Sequence, residues 1–215
     1  MTIDKLLIME RQVFVDNIVV KIIHCAEKEG DVMKLVAENT NIKVPKVFYA
    51  KNDILVQEKV RGRLLVEYLP TTQEHCDRLK SQLDFILSEL SSIKSSELKS
   101  LTEDEDTSIF HKNLPKYGNY VLSHGDFSAM NILVDDDYNI TAVIDWENAG
   151  YYPEYEDYRS LGYYLPFMKN TKPRLDKEIR DNLMTYCFQC QDYKVHICCK
   201  DDGCVCNECH QNYVC

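Results

Sequence analysis

The spacing of apolar and polar positions changes several times along this chain, and each change marks an element. Residues 11–23, "RQVFVDNIVVKII", carry β-branched runs on both sides of Asp16-Asn17, which predicts a hairpin with its turn at that pair. Residues 29–39, "EGDVMKLVAEN", place Val32, Leu35 and Val36 at helical spacing. "VPKVFYA" followed by "NDILVQEKV" predicts strand, turn and strand, with Pro45 at the strand entry. "RGR" at 61–63 interrupts the pattern as a connector. From His75 to Ile93, Leu79, Leu83, Ile86, Leu90 and Ile93 follow one another by 4, 3, 4 and 3, which predicts an amphipathic helix. Residues 91–108 are polar and acidic, a loop or frayed helix end with a solvated "EDED". "NILV" and "ITAVI" around "DDDYN" predict a second hairpin. The order of elements is that of an α+β chain in two unequal lobes.

Composition narrows the class. At 45% hydrophobic residues the chain folds rather than staying disordered, and 215 residues suffice for one sizeable core or two small lobes around a cleft. The net charge of −10 disfavours nucleic acid as the main partner, because wrapping a duplex needs a basic face. The opening "MTIDKLLIMERQVFVD" has charges among its apolar residues and no signal-peptide core. No run approaches the roughly 20 apolar residues of a membrane span. The expectation is a cytoplasmic protein without membrane partners.

The second hairpin carries the candidate chemistry. It is preceded by "HGDFSAMN", residues 124–131, and followed by "IDWE", residues 144–147. Asn131 stands just before the first strand and Asp145 just after the second, so an antiparallel hairpin sets them side by side at its open end. An amide oxygen and a carboxylate placed there suit a hard cation such as Mg²⁺. Asp126, on the loop leading into that end, is placed to accept a proton from a hydroxyl attacking phosphorus.

The motif H-G-D-x4-N followed by a hairpin and I-D-W-E resembles the aminoglycoside phosphotransferase family. The full run "LSHGDFSAMNILVDDDYNITAVIDWENAGYYPEYEDY" is most similar to fungal members, and weaker similarity brings the covered span to roughly residues 12–165. The resemblance implies a protein-kinase-like fold, with a short N-terminal lobe of antiparallel strands plus one helix and a mainly helical C-terminal lobe. It divides the chain into an N-terminal lobe at 1–58, a hinge at 59–65, a C-terminal lobe at 66–185 and a tail at 186–215. It implies ATP and Mg²⁺ as cofactors and a small-molecule hydroxyl as acceptor. Asp126 matches the catalytic aspartate, Asn131 and Asp145 the Mg²⁺ ligands, and His124 a structural loop histidine. Lys21 matches the strand lysine on the nucleotide phosphates and Glu29 its ion-pair partner. The backbone from Glu58 to Val60 matches the hinge that holds adenine, with Gln57 beside it. Asp157 lies near the position where the family has an acidic residue bracing the catalytic loop.

Three features depart from the family. The first 17 residues hold no glycine, although a phosphate-covering loop belongs there. Residues 94–120 are shorter than the family usually has, and the substrate helices after "YPEY" are mostly missing. Eight of the ten cysteines fall between Cys187 and Cys215, and Cys187, Cys190, Cys206 and Cys209 form C-x2-C-x15-C-x2-C, a spacing that fits Zn²⁺. A redox-labile tail, or a reading frame running into non-coding sequence, gives the same bias. Two further functions therefore stand beside the enzyme: a degenerate kinase-like binding or scaffold protein, and a zinc-dependent interaction module.

Overall fold

The computed structural model describes residues 11–102, 120–165 and 168. The first hairpin forms as read: β1 (Arg11–Val15) and β2 (Ile18–Ile22) pair antiparallel around a turn whose Asp16 has φ 48°. Asp tolerates the left-handed region better than most residues, which is why an Asp-Asn pair turns here. β3 (Val47–Lys51) and β4 (Ile54–Glu58) repeat the device at Asn52-Asp53, φ 52° and 62°. The four strands form one sheet in the order β1-β2-β4-β3.

Helix α1 (Ala26–Asn39) packs on this sheet and begins three residues before the expected start. Ala26, fully buried, extends the apolar stripe of Val32, Met33 and Val36 one turn upstream. Gly30 brings the helix close to the sheet, since a Cβ there would lie 2.5 Å from the Ala50 Cβ.

Helix α2 (Gln73–Ser92) follows the predicted stripe: Leu79, Leu83, Ile86, Leu87 and Leu90 are buried. The Thr72 hydroxyl caps it by accepting from the His75 N–H at 3.2 Å. The polar stretch read as loop contains two short strands, β6 (Lys94–Ser95) and β7 (Lys99–Ser100). They flank β8 (Tyr120–Ser123) and β11 (Gly150–Tyr152) in the order β6-β8-β11-β7. Two-residue strands held by backbone pairing need no apolar alternation, and β8 is buried on both faces, so neither has a period-2 signature.

The second predicted hairpin is β9 (Ile132–Val134) and β10 (Ile140–Val143), joined on the other side of β9 by β5 (Arg63–Leu64). Helix α3 (Tyr155–Tyr164) closes the described region. The core runs from Met33 and Leu55 through Leu83 and Leu122 to Trp146 and Leu161, so the first sheet, α2 and the β9-β10 hairpin share one apolar cluster. Among the described residues no helix is long and apolar enough to cross a membrane. The acidic 103–106 run and all four zinc-spaced cysteines lie outside the described residues.

Candidate active site

The open end of the β9-β10 hairpin meets the first sheet. Val143 pairs with Ile132, and the Ile144 N–H donates to the Asn131 carbonyl at 2.9 Å, so the ladder runs on to the residue before Asp145. There the chain turns sharply, Asp145 taking φ 67°. From β2, Lys21 reaches across: its Nζ donates to Asp145 Oδ1 at 2.6 Å and to both Glu29 oxygens at 3.2 Å. Lys21 is 1% exposed and Glu29 fully buried, whereas the Asp145 side chain is 29% exposed. Burial pushes the Glu29 carboxyl up to about 7, while the Lys21 ammonium pulls it down. Removing either partner of such a pair leaves an uncompensated buried charge, which costs about 3–5 kcal/mol.

Asn131 is held from the other side. Its Nδ2 donates to the Asp126 carbonyl at 2.8 Å and to Asp126 Oδ2 at 3.0 Å. With both N–H groups engaged, Oδ1 remains as its coordinating atom. Asp126 is half-buried, and desolvation raises its pKa, opposed by the Asn131 amide.

The loop itself is built on His124 and Asp157. The His124 Nδ1 accepts from the Asp126 N–H at 3.3 Å, so the ring proton sits on Nε2 and is donated to the Ile144 carbonyl at 2.9 Å. The imidazole is neutral, and burial lowers its pKa to about 4. It is a brace between the loop and the strand end. Gly125 follows with φ 83°; a Cβ there would lie 2.0 Å from the Asn148 carbonyl oxygen. Asp157, at the start of α3, accepts the His124 N–H at 2.9 Å and the Gly125 N–H at 3.1 Å, one on each oxygen.

Burial pushes Asp157 up to about 7 against the pull of those two donors. A carboxyl raised in the folded state binds more protons there than in the unfolded chain. Its contribution to stability therefore falls as pH rises from about 4 to about 7. Asp157→Asn turns one acceptor into a donor against an N–H and should cost about 1–3 kcal/mol at the acid end. The gap between parent and variant should narrow toward pH 7. Urea unfolding at a series of pH values checks this; a gap that widens with pH would mean the carboxylate persists throughout.

Residues 94–189 match the family model described as phosphotransferase enzyme family. Solved structures match over more of the chain. A GDP complex of wild-type aminoglycoside 2'-phosphotransferase-IIIa superposes with TM-score 0.56 at 17% identity, covering 79% of this chain and 76% of that one. ADP-bound aminoglycoside phosphotransferase APH(2'')-Ib gives TM-score 0.53 at 14% identity, covering 75% and 77%. A gentamicin complex of APH(2")-IIa gives 0.52 at 15%, covering 73% of each chain. The fold is that of the aminoglycoside phosphotransferases. No curated protein matches the chain by sequence, and these matches do not carry the likeness to fungal members.

Within the aminoglycoside phosphotransferase fold, the structure brings together Lys21, Glu29 and Asp145, and separately Asn131 and Asp126, at the open end of the β9-β10 hairpin. The hinge candidates lie at the end of β4. The Glu58 N–H donates to the Lys46 carbonyl and the Lys59 N–H to the Asn17 carbonyl, both at 2.8 Å. Those two donors are engaged by protein, which directs attention to Val60. Sequence reading gave no role to Trp146. Its N–H donates to Glu29 Oε1 at 3.2 Å, its Nε1–H to the Val143 carbonyl at 3.0 Å, and its ring lies 4.5 Å from that of His124. The signal available was that it is the single Trp, directly after Asp145.

Proposed function

We propose that this chain is a phosphotransferase that moves the γ-phosphate of ATP to a hydroxyl of a small molecule, with Mg²⁺. The observation that carries the reading is the Lys21 ammonium held between Glu29 and Asp145, beside an Asn131 amide fixed by Asp126. Phosphoryl transfer asks a protein mainly to position groups and neutralise charge, and these residues do both. Lys21 would contact nucleotide phosphates and Glu29 would orient it. Asp126 would accept the proton of the attacking hydroxyl. The division into a nucleotide lobe at 1–58, hinge at 59–65 and acceptor lobe at 66–185 belongs to this proposal.

Asp145 and Asn131 would hold the Mg²⁺. Among the described residues no three His, Cys, Asp or Glu side chains gather as a metal cage. One carboxylate with one amide oxygen is instead the donor set for an ion that completes its shell with phosphate and water. Bound there, Mg²⁺ would neutralise charge on the phosphates. Asp145 already accepts a cation, the Lys21 ammonium, at 2.6 Å.

Asp145→Asn tests the assignment. The shape is kept, and Asn also tolerates positive φ. ATP affinity in the presence of Mg²⁺ should fall by about tenfold or more, because ligand charge sets affinity at such sites. Affinity without Mg²⁺ should change little. Calorimetric titration of ATP under both conditions decides it; equal Mg²⁺-dependent binding by parent and variant would sink the metal role of Asp145.

A further inference from the structure

We propose that the outer face of the first sheet binds a second copy of this chain, face to face, in a weak symmetric dimer. Helix α1 covers the other face. A Cβ at Gly30 would lie 2.5 Å from the Ala50 Cβ and 3.6 Å from the Leu55 and Val47 side chains. Ala50 pairs with Leu55, and Leu55 with Lys21, so the α1 side of the sheet is also the side of Lys21. The opposite face is built of three rows that cross the strands. In the first, Val15 and Ile18 lead to Glu58. The middle row is Val13, Val20, Val56 and Tyr49. In the third, Ile22 and Ile54 lead to Lys51.

An antiparallel sheet with one face in water normally alternates apolar residues inward with polar residues outward. Here the outward positions are apolar as well. Val13, Val15, Ile18, Ile22, Ile54 and Tyr49 are each between 37% and 51% exposed. Apolar side chains exposed singly are ordinary, but a contiguous block marks a surface for association. The charges at its ends say which partner fits. Glu58 and Lys51 stand in the first and third rows, on neighbouring strands. Both are exposed, and neither has an ion-pair partner among the described residues. Glu58 Oε2 accepts the Lys46 N–H at 3.3 Å. Sheets that pack face to face lie about 10 Å apart with their strands nearly aligned. Turning a second copy by half a revolution about an axis between the sheets and across the strands lays the middle row on itself and the first row on the third. Glu58 of each copy then faces Ile54 of the other, with the other's Lys51 one strand away, about 4.8 Å to the side. The face is self-complementary in charge, as a two-fold interface requires. Four strands of five residues make it about 17 Å by about 19 Å. That is small for a tight interface, so the dimer should dissociate in the micromolar range.

Analytical ultracentrifugation of the full chain over a concentration series tests this, under reducing conditions so that cysteines do not link chains. The mass of the parent should rise from monomer to dimer across the micromolar range. Val13→Lys puts a charge in the middle row at an exposed position and should remain monomeric throughout. Glu58→Lys sets like charges against each other across the two-fold axis and should weaken the dimer about tenfold or more. Adding Lys51→Glu to Glu58→Lys should restore association to within about threefold of the parent, because the exchanged charges again oppose. A folding defect in Glu58→Lys would not be repaired by that second change, so rescue reads the interface. A parent that stays monomeric at every concentration would overturn the proposal; if removal of residues 1–10 then made it dimerise, the occupant of the face would be the chain's own N-terminal segment. A dimer untouched by Val13→Lys, or a double variant no better than Glu58→Lys alone, would put the association on another surface and overturn it too.

Discussion

Asp126→Asn is expected to lower phosphoryl transfer by about 10²- to 10⁴-fold, the usual worth of a general base. The carboxylate is half-buried, and its Oδ2 accepts from Asn131 Nδ2 at 3.0 Å. An Asn at 126 keeps an oxygen for that bond and loses the basic site for the hydroxyl proton. ATP affinity should stay within a factor of a few, since Lys21, Glu29 and Asp145 bond to one another without Asp126. Turnover and ATP binding are to be measured on one preparation, because a folding defect would lower both. Unchanged transfer would remove Asp126 from the chemistry. A parent with no transfer across a broad panel of hydroxyl compounds would favour a kinase-like binding protein instead.

Gly125→Ala is expected to cost about 2–6 kcal/mol of stability. A non-glycine residue in a sparsely populated positive-φ conformation costs about 1–3 kcal/mol. Forcing atoms into a packed site costs about as much again. Here the obstacle is backbone: the new Cβ would meet the Asn148 carbonyl oxygen at 2.0 Å and its carbon at 2.8 Å, with φ at 83°. Relief requires moving either the 124–126 loop or the 147–149 turn. The first carries Asp126, and the second adjoins Asp145 through Trp146. Urea denaturation gives the stability and calorimetry the nucleotide affinity. A loss below about 1 kcal/mol would show that the loop shifts freely, and that its braces at His124 and Asp157 are weaker than their burial implies.

The hairpins were legible because their turn residues carry the mechanism. Asp16 in the first turn and Asn52-Asp53 in the second supply positive φ, and both strand pairs formed there. The α2 stripe was legible for the same local reason. Strands β5, β8 and β11 were not, being two to four residues long and set by long-range pairing. The candidate site divides in the same way. Asn131 and Asp145 are joined by one hairpin, so their adjacency follows from local pattern. Lys21 and Asp145 are 124 positions apart, and nothing in spacing joins them; only the family resemblance did.

One carboxylate ties the first sheet, α1 and the end of the β9-β10 hairpin into a single assembly. Glu29, on α1, accepts from Lys21 of the first sheet and from the Trp146 N–H immediately after Asp145. Sliding α1 by the length of one hydrogen bond would release both at once. Lys21 would lose its orienting partner, and the segment carrying Asp145 would lose its tether. The Lys21, Glu29 and Asp145 cluster is therefore built as an interlock: helix, strand and hairpin engage together, and intermediate settings in which only one is aligned are disfavoured. Any substitution in the α1 stripe, however far from substrate, would then change nucleotide affinity and turnover in concert rather than separately.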